Sequence, residues 1–357
     1  MTASAEHVFV GCYTGETGGE GEGIALLRRD PETGDLTRLG VAARTPSPSF
    51  LAQHPTLPVL YAVNELDTGA VSAFAADADG TLTELAVRPT GGAHPCHLAV
   101  TPDGRHLFAA NYTSGSVSVH PLGPDGVPGE RSDLVGLQGR GPDPDRQEGP
   151  HAHMVAPDPT GPGVLISDLG SDRVWSARLD PVSGRLVGLA PAIVAAPGTG
   201  PRHLHRAPDG TLLLSGELAA DLTWYRPGAR GLEPAGGVPA TTVAGTDYPS
   251  EVTMGADGRY VYLANRGPNT VSVFAWTGTA TLIAEVPTAG DWPRHMALIS
   301  DHLYVTNERS HTVTIFRVDP DTGIPQMQGD PIGEPSPTCV LRWHPVPRTD
   351  KGDLHTP

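Results

Sequence analysis

The sequence predicts an all-β fold, a seven-bladed β-propeller built from four-stranded antiparallel blades. Three observations carry this prediction: a long-period repeat, tight-turn signals inside each repeat, and two chain ends that each resemble part of a blade. The repeat is marked by a proline that in most copies has His, Glu or Cys two residues later. A period of this length, made of short β-type runs, is typical of propellers. The seven marker prolines, spaced 44 to 55 residues apart, are Pro48, Pro95, Pro150, Pro201, Pro249, Pro293 and Pro337.

Each repeat is predicted to contain four strands. An apolar run, a turn and a second apolar run follow the marker proline, as in residues 97–111. The turn is Asp-Gly in several copies, and this pair supplies the positive φ angles of a tight hairpin turn. A third run with strict alternation, as in 116–120, predicts a half-buried strand. A fourth, shorter strand is expected around Leu36, Leu82 and the equivalent leucines.

The two ends of the chain predict how the ring closes. Residues 7–13 resemble a second strand, and residues 337–343 resemble a first strand. Pairing them completes one blade and removes an open sheet edge, which would favour aggregation. We therefore expect a single propeller domain over residues 1–345 and a disordered C-terminal tail over 346–357.

Composition excludes several classes of function. The net charge of -16 disfavours nucleic-acid binding, which needs a basic face. No apolar run approaches the roughly 20 residues of a membrane span, and no apolar leader precedes the repeats, so a cytoplasmic monomer is expected. The three cysteines lack zinc spacing and indicate a reducing compartment. The only lysine, Lys351, lies in the tail, so anion recognition depends on arginine.

The hairpins predict where polar side chains converge. The first strand of a blade starts beside the end of the second strand, so both ends meet at one mouth of the ring. Several His, Arg and Glu residues fall at these ends, and such a group favours a binding pocket for an oxygen-rich anion. The candidate residues at this mouth are His151, His153, Arg202, His203, Glu217, Glu251, Arg266, Arg294, His295 and Glu308.

Short motifs at the same mouth resemble a known family. They include Gly-Pro-His-Ala-His over 149–153, Gly-Pro-Arg-His-Leu over 200–204 and Pro-Arg-His over 293–295. They are similar to those of the seven-bladed propeller lactonases. That family contains the propeller-type 6-phosphogluconolactonases and the fungal 3-carboxy-cis,cis-muconate lactonizing enzymes.

The resemblance implies a catalytic set and a substrate-binding set. The motifs place the family's catalytic residues at His153, Arg202, Glu217 and Arg266. His151 is a rival for His153, because ungapped spacing from Pro150 aligns it with the position of Arg202. The residues expected to bind substrate are His151, His203, Arg294, His295, Glu251 and Glu308.

The expected reaction is hydrolysis of a sugar-type lactone, as in a 6-phosphogluconolactonase. Arg202 or Arg266 would stabilise the oxyanion or hold an anionic arm, and Glu217 or His153 would take a proton from water. The expected ligand is a small lactone or an anionic sugar acid, with no cofactor and no metal. A muconate-type cycloisomerase or lyase and a non-catalytic binding scaffold are the alternatives.

Overall fold

The computed structural model describes residues 6–229 and 231–345, and these form seven antiparallel sheets. Blade 1 contains β1 (Glu6–Cys12), β2 (Ile24–Arg29) and β3 (Leu36–Ala43); blade 2 contains β4 (Leu51–Gln53), β5 (Val59–Asn64), β6 (Ala70–Ala76) and β7 (Leu82–Pro89). Blade 3 contains β8 (Pro95–Val100), β9 (His106–Asn111), β10 (Ser116–Pro121) and β11 (Asp133–Gly136); blade 4 contains β12 (Ala152–Pro157), β13 (Gly163–Asp168), β14 (Arg173–Asp180) and β15 (Arg185–Val194). Blade 5 contains β16 (Pro201–Arg206), β17 (Leu212–Gly216), β18 (Asp221–Gly228) and β19 (Gly231–Pro239); blade 6 contains β20 (Tyr248–Met254), β21 (Tyr260–Arg266), β22 (Thr270–Trp276) and β23 (Ala280–Pro287). Blade 7 contains β24 (Pro293–Ile299), β25 (His302–Asn307), β26 (Thr312–Val318), β27 (Pro325–Met327) and β28 (Ile332–Gly333), and β29 (Pro337–Arg342) returns to blade 1.

The predicted fold class is confirmed: the chain is an all-β propeller with seven blades. The ring closes as expected, because β29 pairs antiparallel with β1 and places Cys339 opposite Gly11. Residues 346–357, the expected tail, lie outside the described residues, and the domain boundary at residue 345 stays a prediction.

The hydrophobic core lies between neighbouring blades. Phe108 and Val119 of blade 3 are buried in one cluster with Val155 and Ile166 of blade 4. Each sheet presents apolar side chains on both faces, so every blade is stabilised by the two blades beside it. Among the described residues the only helix is a short 3-10 turn, Gly15–Thr17, and no helix is long and apolar enough to cross a membrane.

Buried tyrosines join neighbouring blades at the end of the ring opposite the mouth. The Tyr304 hydroxyl of blade 7 donates to the carbonyl oxygen of Gly34 in blade 1 at 2.6 Å and accepts from Nε of the buried Arg29 at 2.7 Å. In the same way, the Tyr61 hydroxyl donates to the carbonyl oxygen of Gly126 in the next blade at 2.6 Å. Both glycines lie in turns between third and fourth strands, with φ of 77° and 78°.

The expectation that the fourth strands are shorter is confirmed in blade 3, where β11 has four residues, and is wrong for blades 4 and 5. β15 has ten residues and β19 has nine, so they are the longest strands of their blades. These outer strands carry exposed polar, Gly and Pro residues, and they therefore lack the alternation that identifies a strand from sequence. In blade 7 the fourth strand is instead split into β27 and β28, which both pair with β26.

The register confirms that first-strand starts and second-strand ends meet at one mouth. Pro95 lies opposite Asn111, and Pro293 lies opposite Asn307. In five blades the residue after the second strand donates its backbone N–H to the residue before the first strand; for example, the Glu217 N–H donates to the Gly200 carbonyl at 2.9 Å. Each blade therefore presents two equivalent side-chain positions at the mouth: one near the start of its first strand, and one directly after the end of its second strand.

Candidate functional site

One buried carboxylate at the mouth is surrounded by three arginines. Oε2 of Glu217 lies 3.0 Å from Nε of Arg202 and 2.6 Å from Nη2 of Arg266, and Oε1 lies 2.6 Å from Nη2 of Arg146. The side chains of Glu217, Arg202 and Arg266 are 4%, 3% and 6% exposed. We call these four residues the Glu217 cluster. Three of its members, Arg202, Glu217 and Arg266, belong to the predicted catalytic set.

The backbone of two blades positions this cluster. Glu217 follows β17 directly, and Arg202 is the second residue of β16, so the hairpin of blade 5 places them side by side. Arg266 ends β21 in blade 6, and its Nε donates to the Tyr248 carbonyl at 3.0 Å. The ring of Trp292 packs against the Arg266 guanidinium, with 5.5 Å between the guanidinium carbon and the ring centroid.

The charges of the cluster keep Glu217 ionised, whereas the positive charge of Arg202 is only partly balanced. Burial alone would raise the pKa of Glu217, but Arg266, Arg202 and Arg146 hold it well below the usual range. Burial, together with the nearby charge of Arg266, lowers the pKa of Arg202 to about 9. The cluster therefore carries more positive charge than its single carboxylate balances.

Arg146 was not predicted from the sequence. It lies in the polar stretch between β11 and β12, outside any repeat position. Its Nη2 also donates to the Tyr112 hydroxyl at 3.3 Å, and its side chain is partly exposed. No local pattern signals such a residue, because its role depends on a loop that reaches a different blade.

The register decides which histidine is equivalent to Arg202. Ala152 lies opposite Asp168 in blade 4, as Pro201 lies opposite Gly216 in blade 5, so His153 occupies the position of Arg202. The ungapped alignment that favoured His151 is therefore wrong by two residues. His151 precedes the strand, as Gly200 does in blade 5, and its carbonyl accepts the equivalent backbone bond.

The two histidines have different surroundings. His151 stacks on Tyr112 with ring centroids 4.6 Å apart, and its Nε2 lies 3.2 Å from a Glu148 carboxylate oxygen. His153 packs edge-on against Tyr112 at 5.7 Å and against His203 at 5.2 Å. Burial lowers the pKa of His153 well below the usual range, and the nearby Arg202 lowers it further, so this imidazole is neutral at pH 7.

Further histidines lie around the central axis. Nδ1 of His203 is 2.8 Å from a Glu251 carboxylate oxygen, and Nε2 of His295 is 3.4 Å from the same atom. Nδ1 of His295 also accepts the backbone N–H of Val340 in the next blade at 3.3 Å. This bond requires a neutral imidazole, and burial lowers the pKa of His295 to about 4. His295 thus supports the ring as well as lining the mouth.

Arg294 and Glu308 form a second pair, in the same two positions of blade 7 that Arg202 and Glu217 occupy in blade 5. Nη1 of Arg294 lies 3.5 Å from Glu308, and its Nη2 donates to the Tyr13 hydroxyl at 2.6 Å. The structure places this pair at the predicted mouth, but neither residue forms an ion pair with the Glu217 cluster.

Three buried polar atoms of Arg202 and His153 have no hydrogen-bond partner among the described residues: Nε and Nη1 of Arg202 and Nδ1 of His153. Nε still forms an ion pair with Glu217, so Nη1 and Nδ1 are the two without a polar contact. Buried polar atoms are nearly always paired, so an unpaired donor and a neutral imidazole close together make this a candidate ligand site. No group of three or more His, Cys, Asp or Glu side chains within 6–229 and 231–345 is arranged to hold a metal ion.

Comparison with known proteins assigns the chain to a family. Residues 7–342 match the family described as "Lactonase, 7-bladed beta-propeller". The 6-phosphogluconolactonase of Bacillus subtilis is 30% identical over 353 residues, which cover 95% of this chain and 98% of that protein. The chain therefore belongs to the seven-bladed β-propeller lactonase family.

Solved structures agree with this assignment. A Bacteroides fragilis protein that provisionally carries the name 6-phosphogluconolactonase superposes with a TM-score of 0.89 at 32% identity, covering 96% of this chain and 99% of the other. The periplasmic gluconolactonase of Pseudomonas aeruginosa gives 0.87 at 28% identity, covering 96% and 100%. These matches confirm the family and the enzyme class predicted from the motifs, a lactone hydrolase.

Proposed function

We propose that this protein hydrolyses a sugar-type lactone at the mouth of the propeller, in the manner of a 6-phosphogluconolactonase. The observation that carries the proposal is the pair of unpartnered atoms, Arg202 Nη1 and His153 Nδ1, beside a cluster with excess positive charge. Ring opening of a lactone develops negative charge on the carbonyl oxygen and requires a proton acceptor for the attacking water. The two unpartnered atoms supply these two functions.

Arg202 is assigned to the oxyanion. Its Nη1 is buried and free to donate, and a preorganised donor in a site of low dielectric stabilises developing charge at little cost. Replacing one such donor typically lowers kcat by about 10²- to 10³-fold. We expect that loss for Arg202→Met.

His153 is assigned as the general base rather than Glu217. Glu217 is held ionised by three arginines, and its lowered pKa makes it a weak acceptor. His153 is neutral and its Nδ1 is unpaired, although its pKa is low in the absence of ligand. An anionic substrate would offset the arginine charges and raise this pKa towards the range in which general bases are effective. Glu217 then acts as the counterion that holds Arg202 and Arg266 in place.

The test is a pH-stat assay with 6-phosphogluconolactone and with unphosphorylated gluconolactone, corrected for spontaneous hydrolysis. Hydrolysis releases a proton and consumes base, whereas a cycloisomerisation does not. His153→Gln is expected to lower kcat by about 10²- to 10⁴-fold, the usual contribution of a general base. The matched control is His344→Asn, because His344 is exposed at the end of the described chain. Full activity of His153→Gln would show that His153 is not the general base.

His151, His203, Glu251, Arg294, His295 and Glu308 stay predicted substrate-binding residues. The expected monomer, the cytoplasmic location and the independence from metals, cofactors, nucleic acid and membranes also stay predictions. Chelator treatment with unchanged kcat and gel filtration at the mass of one chain would support the metal and oligomer predictions.

A further inference from the structure

Arg146 differs from the two arginines that it joins at Glu217. Its side chain is 36% exposed, whereas those of Arg202 and Arg266 are almost fully buried. It contacts Oε1 of Glu217, while the other two arginines share Oε2. Arg146 is therefore the member of the cluster that an incoming ligand reaches first.

The Glu217 cluster contains more positive than negative groups in direct contact. Three guanidinium groups surround one carboxylate, and within the described part of the chain no second carboxylate forms an ion pair with any of the three. The contact group has a formal charge of +2, the difference between three arginines and one glutamate. A group with a charge near -2 matches this excess, and a phosphate monoester carries about that charge at pH 7.

The geometry of Arg146 leaves room for such a group. Its contacts to Glu217 and to the Tyr112 hydroxyl both use Nη2, so Nε and Nη1 are each available to donate a charge-assisted hydrogen bond. Burial raises the pKa of Tyr112, which keeps its hydroxyl protonated and able to donate. The outer rim of the site thus offers a guanidinium edge beside a hydroxyl donor.

The loop that carries Arg146 is firmly held. The side chain of the adjacent Gln147 is buried, and its Nε2 donates to the Leu169 carbonyl at 2.8 Å and to the Asp172 carboxylate at 2.7 Å. The same Asp172 oxygen accepts the backbone N–H of Gly200 at 2.9 Å, two residues before Arg202. Asp172 therefore fixes the Arg146 loop relative to the strand of Arg202, as a preorganised site requires.

We propose that Arg146, with the Tyr112 hydroxyl, binds a dianionic phosphate arm on the lactone and so determines specificity for a phosphorylated substrate. The inference rests on the proposed lactonase function. The phosphate binds at the outer rim, while the lactone carbonyl lies deeper, against Arg202 and His153. Arg146 then acts in substrate binding and not in the chemical step.

The test compares wild type and Arg146→Met on 6-phosphogluconolactone and on unphosphorylated gluconolactone. Loss of one charge-assisted contact to phosphate is expected to lower the ratio of kcat/KM for the phosphorylated lactone to kcat/KM for the unphosphorylated lactone by about 10- to 100-fold, mainly through KM of the phosphorylated lactone. Arg146→Lys is expected to be intermediate, since lysine keeps the charge and loses the fixed planar array of guanidinium donors. The matched control is Arg140→Met, which removes the same charge from an exposed position of the same loop.

Binding measured by calorimetry provides a second readout without turnover. Arg146→Met should weaken the binding of 6-phosphogluconate about 10-fold or more relative to the binding of gluconate. Equal losses with both lactones, or no loss with either, would overturn the role of Arg146. A wild type that hydrolyses only the unphosphorylated lactone would also overturn it, but would keep the lactonase function. A wild type that hydrolyses neither lactone would overturn the proposed function, and the two acids would still test the phosphate contact.

Discussion

Removing the charge of Glu217 without changing its shape tests the counterion role assigned to it. In Glu217→Gln the buried Arg202 and Arg266 lose the only carboxylate that pairs with them among the described residues. Breaking a buried ion pair by removing one partner costs about 3–5 kcal/mol, because the remaining charge is left uncompensated. We therefore expect a loss of that size.

The expected loss of stability corresponds to a change in melting temperature, Tm. An unfolding entropy of about 2.1 cal/mol/K per residue gives roughly 0.75 kcal/mol/K for 357 residues. The expected cost then lowers Tm by about 4–7 °C, which scanning calorimetry at pH 7.5 measures. The control is Glu84→Gln, an exposed carboxylate whose replacement should change Tm by less than about 1 °C.

The sign of the pH dependence gives an internal check. The pKa of Glu217 is lowered by folding, so its contribution to stability is fully present above its unfolded pKa and is lost as pH falls through the folded pKa. The Tm difference between wild type and Glu217→Gln should be constant from pH 6 to pH 8. A Tm equal to that of the Glu84→Gln control, together with lost activity, would refute the counterion role. Glu217 would then be the better candidate for the general base.

Two further predictions concern the stability of the ring. Burial holds the pKa of several imidazoles below the ordinary value, and four of them lie at the mouth. The unfolded chain therefore binds more protons than the folded chain below about pH 6.5, and stability should fall with decreasing pH by up to about 1.4 kcal/mol per histidine per pH unit. Calorimetry from pH 7 to pH 5 would show a flat Tm if this were wrong. The four at the mouth are His97, His153, His203 and His295. Tyr304→Phe removes a partner of the buried Arg29 and should cost about 2–3 kcal/mol, whereas Tyr61→Phe loses one neutral bond and should cost about 1 kcal/mol. Equal Tm changes in these two variants would show that Arg29 is not stabilised by the hydroxyl.

Much of the fold could be predicted because its signals are local and repeated. A marker proline, an Asp-Gly turn and an alternating run recur in register, and each signal alone specifies a hairpin or a strand. The fourth strands were misjudged because β15 and β19 lie at the solvent-exposed outer edge, where no alternation is required. Their pairing is determined by the neighbouring third strand, which the sequence of the fourth strand does not reveal.

The candidate site could be predicted where its residues occupy repeat positions, and not where they lie outside the repeat. Arg202, Glu217 and Arg266 are candidates because they lie at equivalent strand ends and replace the residue types that other blades carry there. The sequence leaves His151 as a rival of His153 because the first strand of blade 4 begins two residues later relative to its marker proline, and only the backbone register shows this. Arg146 was missed because its contact with Glu217 joins residues 71 positions apart and leaves no periodic trace.

Blades 5 and 7 show why an equivalent position does not imply an equivalent function. Both carry an arginine near the first-strand start and a glutamate after the second strand, yet only Glu217 is nearly fully buried, at 4% exposure against 20% for Glu308. The difference comes from the neighbours: blade 6 supplies Arg266 beside Glu217, whereas blade 1 supplies the neutral Tyr13 beside Arg294.

The same carboxylate-to-amide change in the two blades separates position from environment. Glu308→Gln removes one longer, partly exposed pair and should cost about 1 kcal/mol or less, against about 3–5 kcal/mol for Glu217→Gln. Tm values of both variants, measured side by side, give the comparison. Equal losses of stability would mean that the position in the blade, and not the neighbouring charges, determines the contribution of the carboxylate. The argument from the three arginines around Glu217 would then be wrong. Unequal costs in the expected order would show that the symmetric backbone offers seven similar positions and that neighbouring side chains decide which one holds a buried charge.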